Sequence, residues 1–379
     1  MTILQPITTK QVYTFLLSQK GILVIIWACV QLLVIEHYGV VTSSDSPMYI
    51  EDATNLLNGE FPFGRSTWYA SYSLFLASIF LLKGNILTVV IIQVLLSGVA
   101  ACFLYRVAFN IFKDTIAAFI TVLLYLLWIK IHQWNAYIYT ESLFTSFSII
   151  SFSCMSLSRN KWQYSLVALL VIFTFFIRPA GLSFLCGVIG YLCVILIEKK
   201  YLSTISIIGI AMLLGALALF LLNYILSEYI YYFIKSYSHA EIIYPSIPLI
   251  IEAPSTIVTP SPTHSPLGQL VLFIVSNPIY FLKLSILKLL LFLSNIKPYF
   301  SILHNSLTVL VLFPCYAFAI YGFKKMTAVK EKIFILCFVA SQAITVSLTS
   351  ENWDGRFLIP ILPFIFIYSG CGIAAACKK

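Results

Sequence analysis

Charge is scarce in this sequence. Only 10% of its 379 residues are Asp, Glu, Lys or Arg, whereas 60% are hydrophobic. Soluble domains carry about 25% charged residues, so this composition argues against a soluble globular protein. Apolar runs recur along the chain, and they approach the roughly 20 residues that a helix needs to cross a bilayer. The sequence therefore predicts an all-α, polytopic membrane protein.

Familiar metal and repeat motifs are also missing. The sequence has no CxxC pair or Cys/His cluster, so its nine cysteines are expected to be small buried hydrophobic residues rather than disulfide partners. His132, His239 and His264 match no ligand spacing, so no cofactor is expected, with a divalent metal bound by histidine and Asp45 as the alternative. No internal repeat is evident, which disfavours a transporter built from two related halves.

Acidic residues are the rarer charged class, with 14 Asp and Glu against 23 Lys and Arg. The resulting net charge of +9 could suggest a nucleic-acid-binding surface. In a membrane protein, however, such an excess reflects Lys and Arg on cytoplasmic loops. No nucleic-acid partner is therefore expected.

The apolar runs predict a single domain over 1–379 with about ten membrane spans. These spans are 21–35, 86–105, 115–131, 140–157, 162–177, 181–197, 203–225, 307–323, 333–348 and 357–376. Two further runs are ambiguous, because 69–82 is short and 278–293 carries two lysines.

Loop charge decides between the two ways of threading these runs. If both ambiguous runs lie along the outer surface, both termini are cytoplasmic and most Lys and Arg gather inside. If both are spans, the total is twelve and six basic residues move outside, namely Arg106, Lys113, Arg159, Lys161, Lys199 and Lys200. We prefer ten spans, with twelve as the alternative.

The first predicted outer loop, 36–85, contains a cluster of acidic residues: Asp45, Glu51 and Asp52. Asp45 precedes a Ser-Pro pair and an apolar/polar pattern, which predict a short amphipathic helix ending near Gly59. Asp45 can cap this helix, or act as a general base that accepts the proton of an attacking hydroxyl, and the two roles are compatible. Glu51 and Asp52 are assigned to solvated positions.

The ten-span threading brings further charged residues to the outer face. Arg178 and Arg356 are candidate ligands for a lipid phosphate, because the arginine fork binds phosphate through two donors. Alternatively, both arginines reach to headgroups or pair with Glu141, Glu351 or Asp354. Glu141 is expected to orient a neighbouring group rather than to react.

The second long outer loop, 226–306, is rich in proline and contains no arginine between Glu228 and Asn277. Its last part is expected to be a helix on the membrane surface, with Lys283 and Lys288 reaching to headgroups. Loops of this length are usually functional or disordered.

Four segments of the sequence resemble, in the same order, motifs of the GT-C glycosyltransferases. They are SDSPMYIEDATNLLNGEFPFGRSTWYASYSLFLASIFLLKG, YTESLFTSF, FIRPAGL and WDGRFLIPILPF. The closest resemblance is to family 39, which includes enzymes like the protein mannosyltransferases and the aminoarabinose transferases. The resemblance implies a GT-C-type helical bundle with about 10 to 12 transmembrane helices and amphipathic outer-surface helices in the first outer loop.

The same resemblance implies an activity and assigns residues to it. It implies inverting sugar transfer from a polyprenyl-phosphate donor to a glycan, lipid or protein acceptor on the outer face of a bacterial cytoplasmic membrane. Asp45 matches the acidic residue that the family uses as general base, although Ser46 stands where a second acid often follows. Arg65 lies where related enzymes carry a phosphate-binding lysine. Tyr49 and Lys283 are supporting candidates.

Two other functions compete with this one. An O-antigen polymerase or ligase would carry its working arginines in the long outer loop, which has none between 228 and 277. A flippase or transporter of lipid-linked sugars would place ionisable groups near the middle of its spans, whereas here they lie mostly at span ends.

Overall fold

The computed structural model describes residues 18–200, 204–244, 252–349, 351–352 and 355–378. This part of the chain is helical, apart from a parallel pair of two-residue strands, β1 (Ile243–Tyr244) and β2 (Glu351–Asn352). The α-helices are α1 Gln19–Tyr38, α2 Ser46–Leu57, α3 Ala70–Leu81, α4 Ile86–Phe112, α5 Thr115–Leu127, α6 Ile129–Gln133, α7 Thr140–Leu157, α8 Lys161–Phe175, α9 Gly181–Glu198, α10 Thr204–Ser238, α11 Pro266–Ser276, α12 Pro278–Ser294, α13 Ile302–Lys325, α14 Val329–Leu348 and α15 Leu362–Cys377. Two 3₁₀ helices, Gly64–Tyr69 and Trp134–Ala136, complete the set.

Several apolar helices can cross a membrane. Among the described residues, α1, α4, α9, α13 and α14 are long and apolar enough. The total rises to seven if two bent pairs each count as one span: α5 with the segment Ile129–Ala136, bent by 58°, and α11 with α12, bent by 100°. The helical, multi-pass prediction is thus confirmed, whereas the number of about ten stays a prediction.

Polar turn residues explain why several helices begin where the sequence predicts. Asn85 caps α4 by accepting from the Thr88 amide, and Thr88 Oγ1 accepts from the Asn85 amide in return. Asn160 and Gln163 form the same reciprocal arrangement at α8. Asp114 accepts from two backbone amides at the start of α5. Such caps satisfy amides that the first helical turn leaves without partners.

Two predicted spans are interrupted or shortened in the structure, and the span 203–225 is extended, because α10 continues to Ser238 in the predicted outer loop. The run 115–131 breaks after Leu127, so that α5 is followed by the short, bent α6. The run 357–376 becomes helical only at Leu362, where Pro363 occupies the first turn. Proline fits a first helical turn because the missing amide has no partner there.

The ambiguous run 69–82 forms the end of the 3₁₀ helix Gly64–Tyr69 and the whole of α3. With 12 residues, α3 is about 18 Å long, well short of a hydrocarbon core of about 30 Å. It begins against the turn after α8, where the Ser71 amide donates to the Phe176 carbonyl (3.0 Å). The prediction of a helix in this run is confirmed.

The other ambiguous run forms α12, and one expectation about it is wrong. Lys283 is exposed, but Lys288 is fully buried and cannot reach a headgroup. Its ammonium donates to the Thr349 carbonyl and lies 4.0 Å from the centroid of the Tyr237 ring. Lys288 is buried because Tyr237, near the end of α10, packs with Leu284 in one hydrophobic cluster.

The described residues form two compact units. The first comprises the residues up to Val188 together with Leu312–Val339 and those from Ile359 onward. The second comprises Ile189–Val311 and Ala340–Leu358. The expectation of a single domain stays a prediction.

Small residues allow close helix packing in the first unit. A Cβ atom at Gly370 of α15 would collide with the Thr121 hydroxyl of α5. A Cβ atom at Gly322 of α13 would collide with the Tyr368 carbonyl of α15. Small residues at helix contacts are typical of membrane proteins, where backbones approach closely to gain van der Waals contact.

The cysteines are all free, and the expectation that they are buried is wrong for more than half of them. Cys315 and Cys371 are buried, whereas Cys154 and Cys337 are partly buried. The exposed ones are Cys29, Cys102, Cys186, Cys193 and Cys377. An apolar residue of a membrane protein can face lipid as readily as its own core, so hydropathy alone did not predict burial.

Two contacts gather several chain segments at one end of the first unit. Lys378 Nζ, after α15, lies 2.7 Å from Asp114 Oδ2 in the α4–α5 turn. Lys20 Nζ, at the start of α1, lies 5.6 Å from the ring centroid of Tyr105 near the end of α4. Because α1 begins at this end, the first loop follows at the other end of that helix.

Candidate functional site

The first loop is joined to the segment that precedes α7. The Val41 amide donates to the Ala136 carbonyl (2.9 Å), and the Ile138 amide donates to the Val41 carbonyl (3.0 Å). The Ser46 hydroxyl, at the first residue of α2, donates to the Ile138 carbonyl (3.1 Å). These bonds fix the start of α2 beside the start of α7, although the two are far apart in sequence.

Asp45 lies at the N-cap position of α2 and is partly buried. Its carboxylate makes no capping hydrogen bond to α2. Its backbone amide donates to the Tyr139 hydroxyl (3.4 Å), which itself donates to the Ser43 carbonyl (2.8 Å). The backbone of Asp45 is therefore held in place while its carboxylate is not used as a helix cap.

A cluster of four tyrosines, Tyr49, Tyr69, Tyr72 and Tyr139, packs beside Asp45. The Tyr49 ring is buried, and its centroid lies 5.3 Å from that of Tyr69 and 5.1 Å from that of Tyr72. The Tyr139 ring lies 6.5 Å from it, edge on. Tyr49, a supporting candidate, therefore packs the start of α2 against α3 and the segment before α7.

Glu141 and Arg178 form a buried ion pair. Glu141 Oε1 lies 2.9 Å from Arg178 Nη1, and the two side chains are 0% and 5% exposed. The guanidinium carbon also lies 5.9 Å from the Phe144 ring centroid. Of the roles considered for Arg178, pairing with Glu141 is the one that the structure has. The pair joins the start of α7 to the turn after α8.

This ion pair belongs to the same assembly as the first loop. Tyr72 lies within electrostatic reach of both Tyr49 and Glu141. The Ser71 amide donates to the Phe176 carbonyl, two residues before Arg178. The structure thus brings together Asp45, Tyr49, Glu141 and Arg178, which the sequence places in three separate segments.

The other predicted residues lie elsewhere. Arg65 is exposed in the 3₁₀ helix of the first loop. Lys283 and the partly buried Arg356 belong to the second unit. Asp354 and the side chain of Glu351, two possible partners for the arginines, lie outside the described residues.

Asp52 is a residue that the sequence analysis misplaced. Glu51 is exposed as expected, but Asp52 is partly buried, and its Oδ2 is shielded from solvent without a hydrogen-bond partner. A signal was present, because Asp52 lies three residues after the buried Tyr49 and side chains at that spacing share a helix face. An unpartnered carboxylate oxygen is costly to bury, so Asp52 is a second acid of interest within the first loop.

A buried polar network lies behind the site, and the sequence analysis did not predict it. His132 Nδ1 lies 3.0 Å from Gln31 Nε2, and His132 Nε2 lies 3.1 Å from the Tyr125 carbonyl. Asn135 donates to Gln31 and accepts from the Ser142 hydroxyl. A carbonyl can only accept, so Nε2 carries the proton and Nδ1 accepts from Gln31. Both ring nitrogens are therefore engaged within the protein.

Within the described ranges, no group of three or more His, Cys, Asp or Glu residues could hold a metal ion. Comparison of the chain with family models, curated proteins and solved structures gives no match. A partly exposed carboxylate, held by its backbone beside a packed tyrosine cluster, is suited to accept a proton from a bound hydroxyl.

Proposed function

We propose that the chain is a membrane glycosyltransferase that uses a polyprenyl-phosphate-linked sugar, with Asp45 as its general base. The observation that carries the proposal concerns Asp45. It occupies the N-cap position of α2, but its carboxylate makes no capping hydrogen bond to that helix. A carboxylate that does not cap its helix can instead take the proton of an acceptor hydroxyl. General-base assistance of this kind is worth about 10²–10⁴ in rate.

In the proposed reaction, the acceptor oxygen attacks the anomeric carbon of the donor sugar. Its proton passes to Asp45 as the new carbon–oxygen bond forms, and the bond from that carbon to the phosphate oxygen breaks. The electron pair leaves with polyprenyl phosphate, and attack opposite to the leaving group inverts the anomeric configuration. Asp45 then returns the proton to water.

The leaving phosphate needs a cation, and Arg65 is the proposed partner within the first unit. It is exposed on the same loop as Asp45, and arginine binds phosphate through two parallel donors. Arg178 is engaged by Glu141 and buried, so we assign it to positioning the segments around Asp45. Arg356 and Lys283 stay candidate donor ligands in the second unit.

The threading we propose has ten spans, both termini in the cytoplasm and Asp45 outside. Three features support it. A helix as short as α3 is a poor span. If α12 were an additional span and α3 were not, Lys378 and Asp114 would lie on opposite sides of the membrane. Their side chains are instead in contact. If α3 were a span, Lys20 and Tyr105 would lie on opposite faces, whereas they too are in contact.

A second function, movement of a lipid-linked sugar across the membrane, is favoured by a different observation. A buried ion pair and the 58° break between α5 and α6 are features of transport sites, where charges and broken helices line a path. Transport would depend on the Glu141–Arg178 ion pair rather than on the Asp45 carboxylate. Carrier binding without any product would support this second function.

The test is mass spectrometry of surface glycans from cells that carry the wild-type chain or Asp45→Asn. The transferase proposal expects a sugar-bearing product that disappears in the variant while protein level and membrane insertion are unchanged. An unchanged product would remove Asp45 as the base.

A further inference from the structure

A second site lies at the opposite end of α1 from the first loop. There, α1, α4 and α5 enclose a groove of about 630 Å³, within the range typical of small-molecule sites. Its walls are apolar, with Leu23 and Trp27 from α1 and Leu95 and Val99 from α4. None of the described residues that line it is acidic.

The shape of the groove follows from one close helix contact. A Cβ atom at Gly98 would lie 2.9 Å from Cε2 of Trp27, so a larger residue there would push the indole away from α4. The Trp27 indole N–H then donates to the Ser97 hydroxyl (3.2 Å). The ring is held against the helix and leaves an open channel beside it.

Two cations stand at one end of the groove. Lys20 and Arg106 both line it and are both exposed. The Lys20 ammonium lies 5.6 Å from the ring centroid of Tyr105, which also lines the groove. Two cations in one lining, with no acid among the described residues of that lining, are suited to an anionic group such as a phosphate.

The length of the groove matches one leaflet of a bilayer. From Arg106 to Leu95 along α4 is about 16 Å, and from Lys20 to Trp27 along α1 is about 10 Å. Half of a hydrocarbon core measures about 15 Å. When the cations lie at headgroup level, the apolar walls therefore extend along the acyl chains of the same leaflet.

We propose that this groove binds an anionic phospholipid of the bilayer, with one acyl chain along Trp27 and Val99 and its phosphate between Lys20 and Arg106. The lipid would fill the channel between α1 and α4 and hold these helices together. A sugar-donor lipid is a poorer match, because α1 has 20 residues and is about 30 Å long, with Lys20 near its start and the first loop after its end.

The test is native mass spectrometry of the purified full-length chain in detergent, with phosphatidylglycerol, phosphatidylcholine and a polyprenyl phosphate added at equal concentration. The wild type should retain one phosphatidylglycerol in preference to the other two. The double variant Lys20→Gln/Arg106→Gln should retain about tenfold less. The matched control, Lys113→Gln/Arg159→Gln, removes one exposed lysine and one exposed arginine outside the groove and should retain the wild-type amount.

A second variant tests the apolar channel of the groove independently of its two cations. Val99→Trp fills the apolar channel at a site that is 44% exposed, keeps both cations and should also lower retention. Equal losses in the groove and control double variants would overturn the proposal, since they would show charge attraction without a site. Preferred retention of polyprenyl phosphate, or of no lipid by the wild type, would overturn it as well.

Discussion

Glu141 and Arg178 lie 2.9 Å apart, Oε1 to Nη1, with both side chains buried in the first unit. This contact ties the first turn of α7 to the turn between α8 and α9. Each charge would be costly to bury alone in so apolar a protein, and each offsets the cost of the other. The pair therefore stabilises the frame that holds the first loop, rather than offering a free cation to a substrate.

Breaking this pair on one side should destabilise the protein strongly. Glu141→Gln leaves the Arg178 charge buried without its partner, and the expected loss is about 3–5 kcal/mol of unfolding free energy. Glu141→Gln/Arg178→Gln should lose less than the sum of the two single variants, because neither charge is then left alone. Thermal unfolding of the four proteins in one detergent measures the coupling. If the loss of stability in the double variant equals the sum of the two single losses, the two side chains do not stabilise each other. That result would contradict the role assigned to the ion pair.

Asp45 and Asp114 offer a matched comparison of helix starts. Both occupy the N-cap position, but only the Asp114 side chain accepts from backbone amides. Asp114→Ala should therefore cost about 1 kcal/mol, the usual effect of losing a cap. Asp45→Ala should cost less than Asp114→Ala, because it removes no capping hydrogen bond. Equal losses in thermal unfolding would show that Asp45 acts as a cap after all.

The Asp114 carboxyl should also make the stability of the fold depend on pH. Burial raises the pKa of this carboxyl, but hydrogen bonds from Lys378 and from the Ile116 and Ala117 amides outweigh that effect and lower it overall. A carboxyl with a lowered pKa stabilises the fold above its unfolded value of about 3.9. That contribution disappears as the pH falls through the lower folded value.

The stability difference between the wild type and Asp114→Asn should accordingly be full at neutral pH and shrink as the pH falls below about 3.9. Unfolding temperatures measured from pH 7 down to about 3 test this expectation. Because Lys378 is 57% exposed, the ion pair itself adds little. A difference that stays constant over the whole range would refute the assignment to the ionised carboxylate.

The proposed threading predicts which loops an impermeant thiol reagent can reach. A cysteine at Glu51 should be labelled in intact cells, whereas one at Lys113 should be labelled only after permeabilisation. Both positions are exposed, so each is accessible to a reagent on its own side. The background needs serine at the exposed native cysteines. Labelling of Lys113→Cys in intact cells would contradict the ten-span threading.

The sequence predicted those features well that depend on residues close together in the chain. The start of α2 followed from the Ser-Pro pair after Asp45, and the starts of α4, α5 and α8 followed from polar residues between apolar runs. The short length of run 69–82 similarly predicted a helix too short to be a clear span, and α3 has 12 residues. These features depend on neighbouring residues, which the sequence shows directly.

The features that the sequence did not reveal depend on which apolar face meets protein and which meets lipid. Hydropathy is the same for both, so it predicted neither the burial of Lys288 nor the exposure of Cys102. The bonds of Val41 with the segment before α7 join residues that are distant in sequence, and no local pattern marks them. Arg178 had several possible partners, and only the packed helices select Glu141.

The central claim is tested most directly by sugar transfer in Asp45→Asn, with Glu51→Gln and Asp52→Asn as controls on the same helix. Mass spectrometry of surface glycans provides the readout, and protein level with thermal stability shows that each variant is folded. Asp45→Asn should lose at least about 100-fold of the transfer rate, whereas Glu51→Gln should match the wild type. Full transfer by Asp45→Asn, or its loss in Asp52→Asn alone, would contradict the account and move the base to another residue.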